Sequence, residues 1–515
     1  MPTTMNCRRE FSGDTIVAEK LNHFEHEPSS PPQTEETRKR RILFTALGRT
    51  AVVTVFLYAL VCISSLHRFV PHKVLVDNAL RCTTSNLQHD LSFLKHAVPI
   101  SNDEFLDRRD RLANALVQSK IDAFVLEPGY TSQYYANISQ IDWEPWEPEE
   151  RPFLMITQPQ RVNGSVIANT TFLAPSFEVG RVKMLGIPSK GELDVIPWEE
   201  HEDPYAILYE QVFGGRNITV MIDEELRDYI SRGLQGSGLR TVGVSQQVEE
   251  VRQIKSPAEV ELLRAVNTGT VQGIRAMQPC LKEGLRERDL IHILDHAMKT
   301  IGFQDFFNIV LFDENAALPH GGFATGDKVL NKHTMILIDV GYHYLGYSSD
   351  VCRSFFMKPV QSSFHLPGLV SDVGAWWHDD REQVKDDSTK EDELEEKKKV
   401  WDVVLQAQSA AGSMFKTNNS CASVDLAARG VIDEAGYNGT FTHRVGHGIG
   451  IKAHESPYLN KANTGTLLKP GMTFTNEPGI YLEGKFGVRH EDIYLVTDGE
   501  PEVLSGKRAR GPYDP

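Results

Sequence analysis

Five residues of this sequence have the types and spacing to hold cations. Asp339 lies in the apolar run Met335-Ile-Leu-Ile-Asp-Val-Gly, and Asp350 lies in Tyr347-Ser-Ser-Asp-Val-Cys-Arg. Singly, each reads as a strand-end or turn carboxylate. If the chain reverses between Tyr344 and Leu345, the two stand opposite each other on one face of a hairpin. Opposed like charges repel, and a cation between them is the usual remedy. Glu477, in Phe474-Thr-Asn-Glu-Pro-Gly, and Glu491, in Val488-Arg-His-Glu-Asp, repeat the pattern inside two further strand-like runs. His447 sits among Gly446, Gly448 and Gly450, which allow close backbone approach. Four carboxylates and an imidazole form an oxygen-rich donor set. Such a set suits hard divalent ions, Mn²⁺ rather than a thiolate-bound zinc. Two such ions bridged by carboxylates can activate a shared water for hydrolysis. His320, His443 and His454 are each ambiguous alone, but their joint occurrence with this set gives them weight.

These residues need strands and turns to position them. Strand-like stretches run over Thr334–Val340, Ser348–Met357, Met472–Leu482 and Val488–Val496. Upstream, Ser256-Pro257-Ala-Glu259 carries the N-cap, first-position proline and capping-box glutamate of a helix start. A second helix is predicted from about Arg286 to Ile301, stopped by Gly302. Before these, helical spacing over Asp103–Gln118 alternates with strand signals at Ala123–Leu126, Phe153–Ile156 and Ile218–Ile222. This alternation predicts an α/β domain over 99–250. Residues 359–399 interrupt the regular succession as an insertion. It carries Trp376-Trp377 and then a charge run from Asp379 to Lys399, which reads as a solvated face or loop.

The chain has 515 residues and a formal net charge of −16, which argues against a nucleic-acid binder. Six cysteines without a CxxC pair exclude a disulfide scaffold and make a zinc knuckle or thioredoxin-type site a poor fit. Residues 1–41 read as a disordered cytosolic tail. Arg38-Lys39-Arg40-Arg41 then precede an apolar run, 42–66, interrupted by Arg49. The positive-inside rule makes that run a transmembrane signal anchor with the remainder lumenal or extracellular, a single-pass type II membrane protein. A cleaved signal peptide, giving a secreted protein, and a buried globular helix are the alternatives. The glycosylation sequons at Asn137, Asn163, Asn169, Asn217, Asn418 and Asn438 all follow the run and suggest a glycoprotein. Residues 67–98 read as a stalk.

Together the motifs ENAALPHG, LIDVGYHYLGYSSDVCRSF, HRVGHGIGIKAHESPYL, TNEPGIY and VRHED resemble the pita-bread-fold metallopeptidases, which include aminopeptidase P, prolidase and methionine aminopeptidase. The resemblance covers about 99–510 and implies an α+β pita-bread catalytic domain over 256–510. It implies metal ligands Asp339, Asp350, His447, Glu477 and Glu491 for two divalent ions, Mn²⁺ first, with Co²⁺ or Zn²⁺ as alternatives. It implies His320, His443 and His454 as catalytic and substrate-binding histidines, Glu477 as general base and acid, and Arg489 as support for the ligands or substrate. The preceding domain favours aminopeptidase P or prolidase, and so hydrolysis of an Xaa-Pro bond at a peptide's N-terminus. A homodimer is left open. Arg444 and Lys452 depart from the family pattern, where small or apolar residues are usual, and so bear on subsite preference. A creatinase-type amidinohydrolase and a non-catalytic binding module are the alternatives. The intact ligand set argues against both.

Overall fold

The computed structural model describes residues 71–143, 151–322, 325–359 and 380–515. Among the described residues no helix is long and apolar enough to cross a membrane. This corrects the expectation of a transmembrane helix and withdraws the single-pass membrane placement, lumenal side and membrane partner built on it. The run 42–66 and the tail 1–41 lie outside the described residues.

The chain from Pro71 onward is one compact unit. It opens on α1 (His72–Gln88), in the segment assigned to a stalk. Its Ala79 and Leu87 join a core with Val266, Ile274, Leu290 and Leu294, and Cys82 is disulfide-bonded to Cys280. Next comes α2 (Asn102–Ser119), where Ser101 Oγ accepts from the Glu104 N–H at 3.2 Å and Lys120 ends the helix in a left-handed conformation. A six-stranded mixed sheet follows: β1 (Ala123–Leu126), β2 (Leu154–Val162), β3 (Ser165–Pro175), β4 (Val195–Trp198), β5 (Thr219–Ile222) and β6 (Arg240–Val242), in the order β4-β3-β2-β1-β5-β6. Every residue of β1 is buried, as expected for a central strand packed on both faces.

Helix α3 (Gln246–Gln253) leads to α4 (Pro257–Met277). The capping box forms as read: Glu259 N–H donates to Ser256 Oγ at 3.2 Å, and Ser256 N–H donates to Glu259 Oε2 at 2.9 Å. Then come α5 (Glu287–Lys299) and the strands β7 (Gln304–Phe312), β8 (Ile336–Tyr344), β9 (Tyr347–Ser348) and β10 (Val351–Phe355), which form one antiparallel sheet. The turn between β8 and β9 places Leu345 at φ 49° and Gly346 at φ 87°, the left-handed pair that suits a two-residue hairpin loop. It is centred one residue later than the sequence suggested. Asp339 therefore faces Cys352 across the strands, not Asp350. The slip in partner is two residues. Because the side-chain period of a strand is also two, Asp350 stays on the same face as Asp339.

Of the two readings of the charge run, loop and solvated face, the described part forms the second: over residues 391–399 most charged side chains are exposed on one helix. The charge run is not a loop from Asp380 on: Asp380–Gly412 is a single helix, α6. Its Leu394, Lys397, Val400 and Trp401 are buried. Lys397 Nζ pairs with Asp313 Oδ1 at 2.8 Å, and Trp401 Nε1 donates to Ser354 O at 2.6 Å. After α7 (Cys421–Glu434) come β11 (Gly446–Gly448), β12 (Glu455–Leu459), β13 (Thr473–Asn476), β14 (Gly479–Leu482), β15 (Phe486–Arg489), β16 (Asp492–Leu495) and β17 (Glu502–Val503). They build a second sheet, β12-β11-β13-β16-β17, and a two-stranded ribbon, β14-β15.

The Cys82–Cys280 bond ties α1 to the end of α4 across a sequence separation of 198. On the chain-entropy scale a loop of this size is worth up to about 5 kcal/mol. Cys82→Ser is expected to lower the unfolding midpoint in denaturant and to steepen the slope, because the denatured chain without the cross-link exposes more surface. An unchanged midpoint shows that the bond adds nothing to stability.

Candidate active site

Asp339 projects from the middle of β8, where β7 and β10 flank it on both sides. Asp350 occupies the short gap between β9 and β10. Its N–H donates to Asn267 Oδ1 on α4 at 3.1 Å. Gly341 makes room for this gap, since a Cβ there would lie 2.6 Å from Ser349 O. The second carboxylate pair arises at a kink. β13 and β16 pair through Asn476 and Asp492, and β14 and β15 pair through Gly479 and Arg489. Glu477 and Glu491 lie between these pairs, where the hairpin leaves one sheet for the other. Pro478, without an N–H, follows Glu477 and suits an interrupted ladder. The kink is sewn to its neighbours: Glu477 N–H donates to Val445 O at 2.8 Å, and Glu491 N–H to Cys352 O at 3.0 Å. The two long strands expected at 472–482 and 488–496 are thus each broken at the acidic residue.

His447 sits on β11. A Cβ at Gly446 would lie 2.1 Å from Thr475 O, so only glycine allows this strand to approach β13 so closely. His447 Nδ1 lies 3.1 Å from Gly448 O. A carbonyl only accepts, so Nδ1 carries the proton and Nε2 is free to ligate. That Nε2 lies 3.3 Å from Glu477 Oε1 and 3.6 Å from Asp350 Oδ2. His454 approaches from the other side, its Nε2 3.6 Å from Asp350 Oδ2 and its ring edge-on to His447.

Arg489 is the cation buried among these acids. Its guanidinium donates to Asp339 Oδ2, to Pro319 O at 3.0 Å and to the Tyr481 hydroxyl at 2.8 Å. His443 Nδ1 donates to Arg444 O at 2.8 Å, so its Nε2 accepts from the Tyr481 hydroxyl at 2.7 Å. His443 is therefore joined to the carboxylates through Tyr481 and Arg489. His320 is exposed, next to the Pro319 carbonyl that Arg489 holds. Asp339, Asp350, His447, Glu477, Glu491 and His454 thus come together directly, His443 and Arg489 stand behind them, and His320 lies at the rim. Asn267 and Tyr481 were missed. Asn267 is remote in sequence from Asp350, and Tyr481 from His443, and an isolated Asn or Tyr in a helix or strand carries no signal.

The electrostatics are those of a site built for cations. Burial, reinforced by Asp339, pushes the Asp350 carboxyl well above the usual range, and burial with Asp350 does the same to Glu491. Burial also raises Asp339, against the pull of Arg489. For Glu477 burial raises, but in the metal-free site a doubly protonated His447 ring supplies a hydrogen bond and a charge that, with His443 and Arg489, outweigh it, and the net shift is downward. Burial pushes His443 and His454 down to about 4, so both rings are neutral near pH 7. Two carboxylate oxygens, Asp339 Oδ1 and Glu491 Oε1, are buried without any hydrogen-bond partner. Three overlapping groups have ligand atoms within 4.8 Å of one another: Asp350, His447 and His454; His447, Glu477 and Glu491; Asp339, Asp350 and Glu491. Unpartnered buried carboxylate oxygens in such groups fit divalent cations.

The Tyr481 hydroxyl serves Arg489 and His443 at once. Tyr481→Phe should leave both buried groups one partner short and cost about 1–3 kcal/mol of stability. Denaturant unfolding of the metal-free variant reads this, and a cost indistinguishable from zero removes Tyr481 from the network.

Residues 261–498 match the model of metallopeptidase family M24. An uncharacterized peptidase of Schizosaccharomyces pombe is 37% identical over 90% of this chain and 95% of its own length. Among solved structures, a prolidase from Thermococcus sibiricus aligns at 26% identity with a TM-score of 0.59, over 77% of this chain and 95% of that one. The dipeptidase PepE from Mycobacterium ulcerans shares the fold at 24% identity and a TM-score of 0.62, over 80% and 98%. With its carboxylate–histidine site and the pita-bread architecture of these neighbours, the chain belongs to metallopeptidase family M24 and is a peptidase.

Proposed function

We propose that the protein is a binuclear metallopeptidase that hydrolyses the Xaa-Pro bond at the N-terminus of peptides. The convergence of buried, unpartnered carboxylate oxygens from Asp339 and Glu491 on Asp350, Glu477 and His447 carries this reading. Those five residues would hold two divalent ions, Mn²⁺ by the hardness of the donors, with Co²⁺ or Zn²⁺ as alternatives. Bound there, the ions would supply Lewis acidity and a water of lowered pKa.

The chain's own residues supply the rest. Glu477, in contact with His447, takes the proton from the attacking water and returns it to the leaving prolyl nitrogen. Neutral His454, half in solvent beside Asp350, offers an N–H to the oxygen that gains charge. His320 lies at the rim on the substrate side, and His443 acts from behind through Tyr481 and Arg489. Arg489 holds one Asp339 oxygen and leaves the other free to ligate. Recognition of proline follows from its fixed ring and missing N–H, which a shaped apolar wall accepts without an unmet donor. The prolidase among the structural neighbours supports this substrate class.

Asp339→Asn, His447→Ala and Glu491→Gln are each expected to abolish turnover of Ala-Pro and Ala-Pro-Pro and to lower metal content. Added Mn²⁺ should raise the unfolding temperature of the wild type only. Full metal loading with normal turnover in all three variants overturns the assignment, and preferential cleavage of Met-Ala-Ser overturns the proline specificity. His454→Ala should retain its metals and lose roughly 10²–10³-fold in kcat, the scale of one lost oxyanion donor. If metal content falls in step with rate, His454 is a ligand.

A further inference from the structure

His454 lies on a strap with no regular secondary structure, between the end of β11 at Gly448 and the start of β12 at Glu455. Its ring is 57% exposed, and the nearest polar atom to it among the described contacts is Asp350 Oδ2 at 3.6 Å. The ring itself is thus held loosely, and its place must come from the strap. Three sets of contacts fix that strap. Ser348, next to the gap that carries Asp350, donates its N–H to Gly450 O at 3.0 Å and its hydroxyl to Ile451 O at 2.9 Å. Glu455 forms a buried ion pair with Lys255, just ahead of α4. Between them, Lys452 Nζ reaches Glu225 Oε1 at 2.5 Å and Glu224 Oε1 at 3.2 Å. These two glutamates follow β5 in the N-terminal α/β sheet, so the contact spans the two halves of the chain.

We infer that Lys452 is a positioning residue: it pins the His454 strap to the N-terminal sheet through Glu224 and Glu225. Ile451 and Ala453 point inward, at 4% and 3% exposure, while Lys452 between them points to the opposite side and meets the acidic pair. Loss of the pin leaves the apolar anchors and the Ser348 bonds in place. The strap then loosens at its centre, two residues before His454, without exposing core. Glu224 and Glu225 are 56% and 38% exposed, so salt screens the pin. The inference rests on the role given to His454 in the proposed reaction.

The test uses the full chain with Mn²⁺ and three variants: Lys452→Met, Lys452→Arg, and Glu224→Gln combined with Glu225→Gln. Amide hydrogen exchange over residues 449–455 reads the strap directly, and kcat and KM on Ala-Pro are read separately with metal content. The Met variant and the double Gln variant should both exchange faster in the strap and lose about tenfold in kcat, with KM within about twofold and metals retained, because a small misplacement of a reacting group is costly. The Arg variant should recover wild-type exchange and kcat. High salt should slow the wild type toward the Met variant and leave that variant unchanged. Unchanged exchange in both pin-breaking variants overturns the inference. So does a rise in KM alone, which would put Lys452 on the substrate. Wild-type turnover that ignores His454→Ala sinks the role of His454 in the reaction instead, and the exchange result still decides the pin.

Discussion

The structure turns on one electrostatic constraint: four carboxylates, Asp339, Asp350, Glu477 and Glu491, are gathered in one place, and among the described residues only Arg489 is buried among them as a cation. Ionised carboxylates out of water and beside one another are strongly unfavourable. Without further positive charge the arrangement resolves only by holding protons, which is the direction in which Asp350 and Glu491 are pushed. Divalent cations remove that conflict. The fold can then be seen as a device for keeping the four groups from escaping it. Each is fixed through its own backbone to a different segment of the chain, so none can swing to solvent alone.

That requirement accounts for features that look incidental one at a time. Glycine stands at 341, 446 and 487 because a side chain there would collide with Ser349, Thr475 and Ala316 backbone atoms. The C-terminal hairpin kinks so that one pair of glutamates can face the two aspartates from another sheet. Behind the kink a buried polar network holds its shape. Arg353 donates to the Cys352 carbonyl at 3.0 Å and to Asp492 Oδ1 at 2.6 Å, and Gln408 and Asn476 exchange bonds across α6 and β13. The network is extensive but not complete, since Arg353 Nε and Asn476 Oδ1 are buried without a partner.

Much of this was legible in the sequence, and the failures have physical causes. The capping box at Ser256–Glu259 is local chemistry and formed as read. The acidic residues stood out because charge inside an apolar strand run is costly and so needs a reason. The hairpin register was misjudged because Leu345, a residue that disfavours positive φ, shares the turn with Gly346. The face survived because the slip was even. The second half of the charge run was taken for solvent-facing chain, although Lys397 is buried by its pairing with Asp313, a partner far away in sequence. Asn267, Tyr481 and the Cys82–Cys280 bond share that difficulty: each is defined by a distant partner. The apolar run at 42–66 shows the opposite limit, since hydropathy alone reads alike for a span, a leader and a packed helix.

The Arg353–Gln408–Asn476 network lies behind the acidic residues, while His320, His454 and Lys452 lie in front of them on surface segments. Among the described residues no hydrogen bond or ion pair joins the two sets directly. Substitutions at the front can accumulate without disturbing the gathered carboxylates, and a change behind disturbs all of them together. Descendants of this chain would therefore be expected to vary in turnover rate, through changes at the front, before they lose the acidic cluster behind it, so that rate is the evolvable trait and the cluster the inherited one.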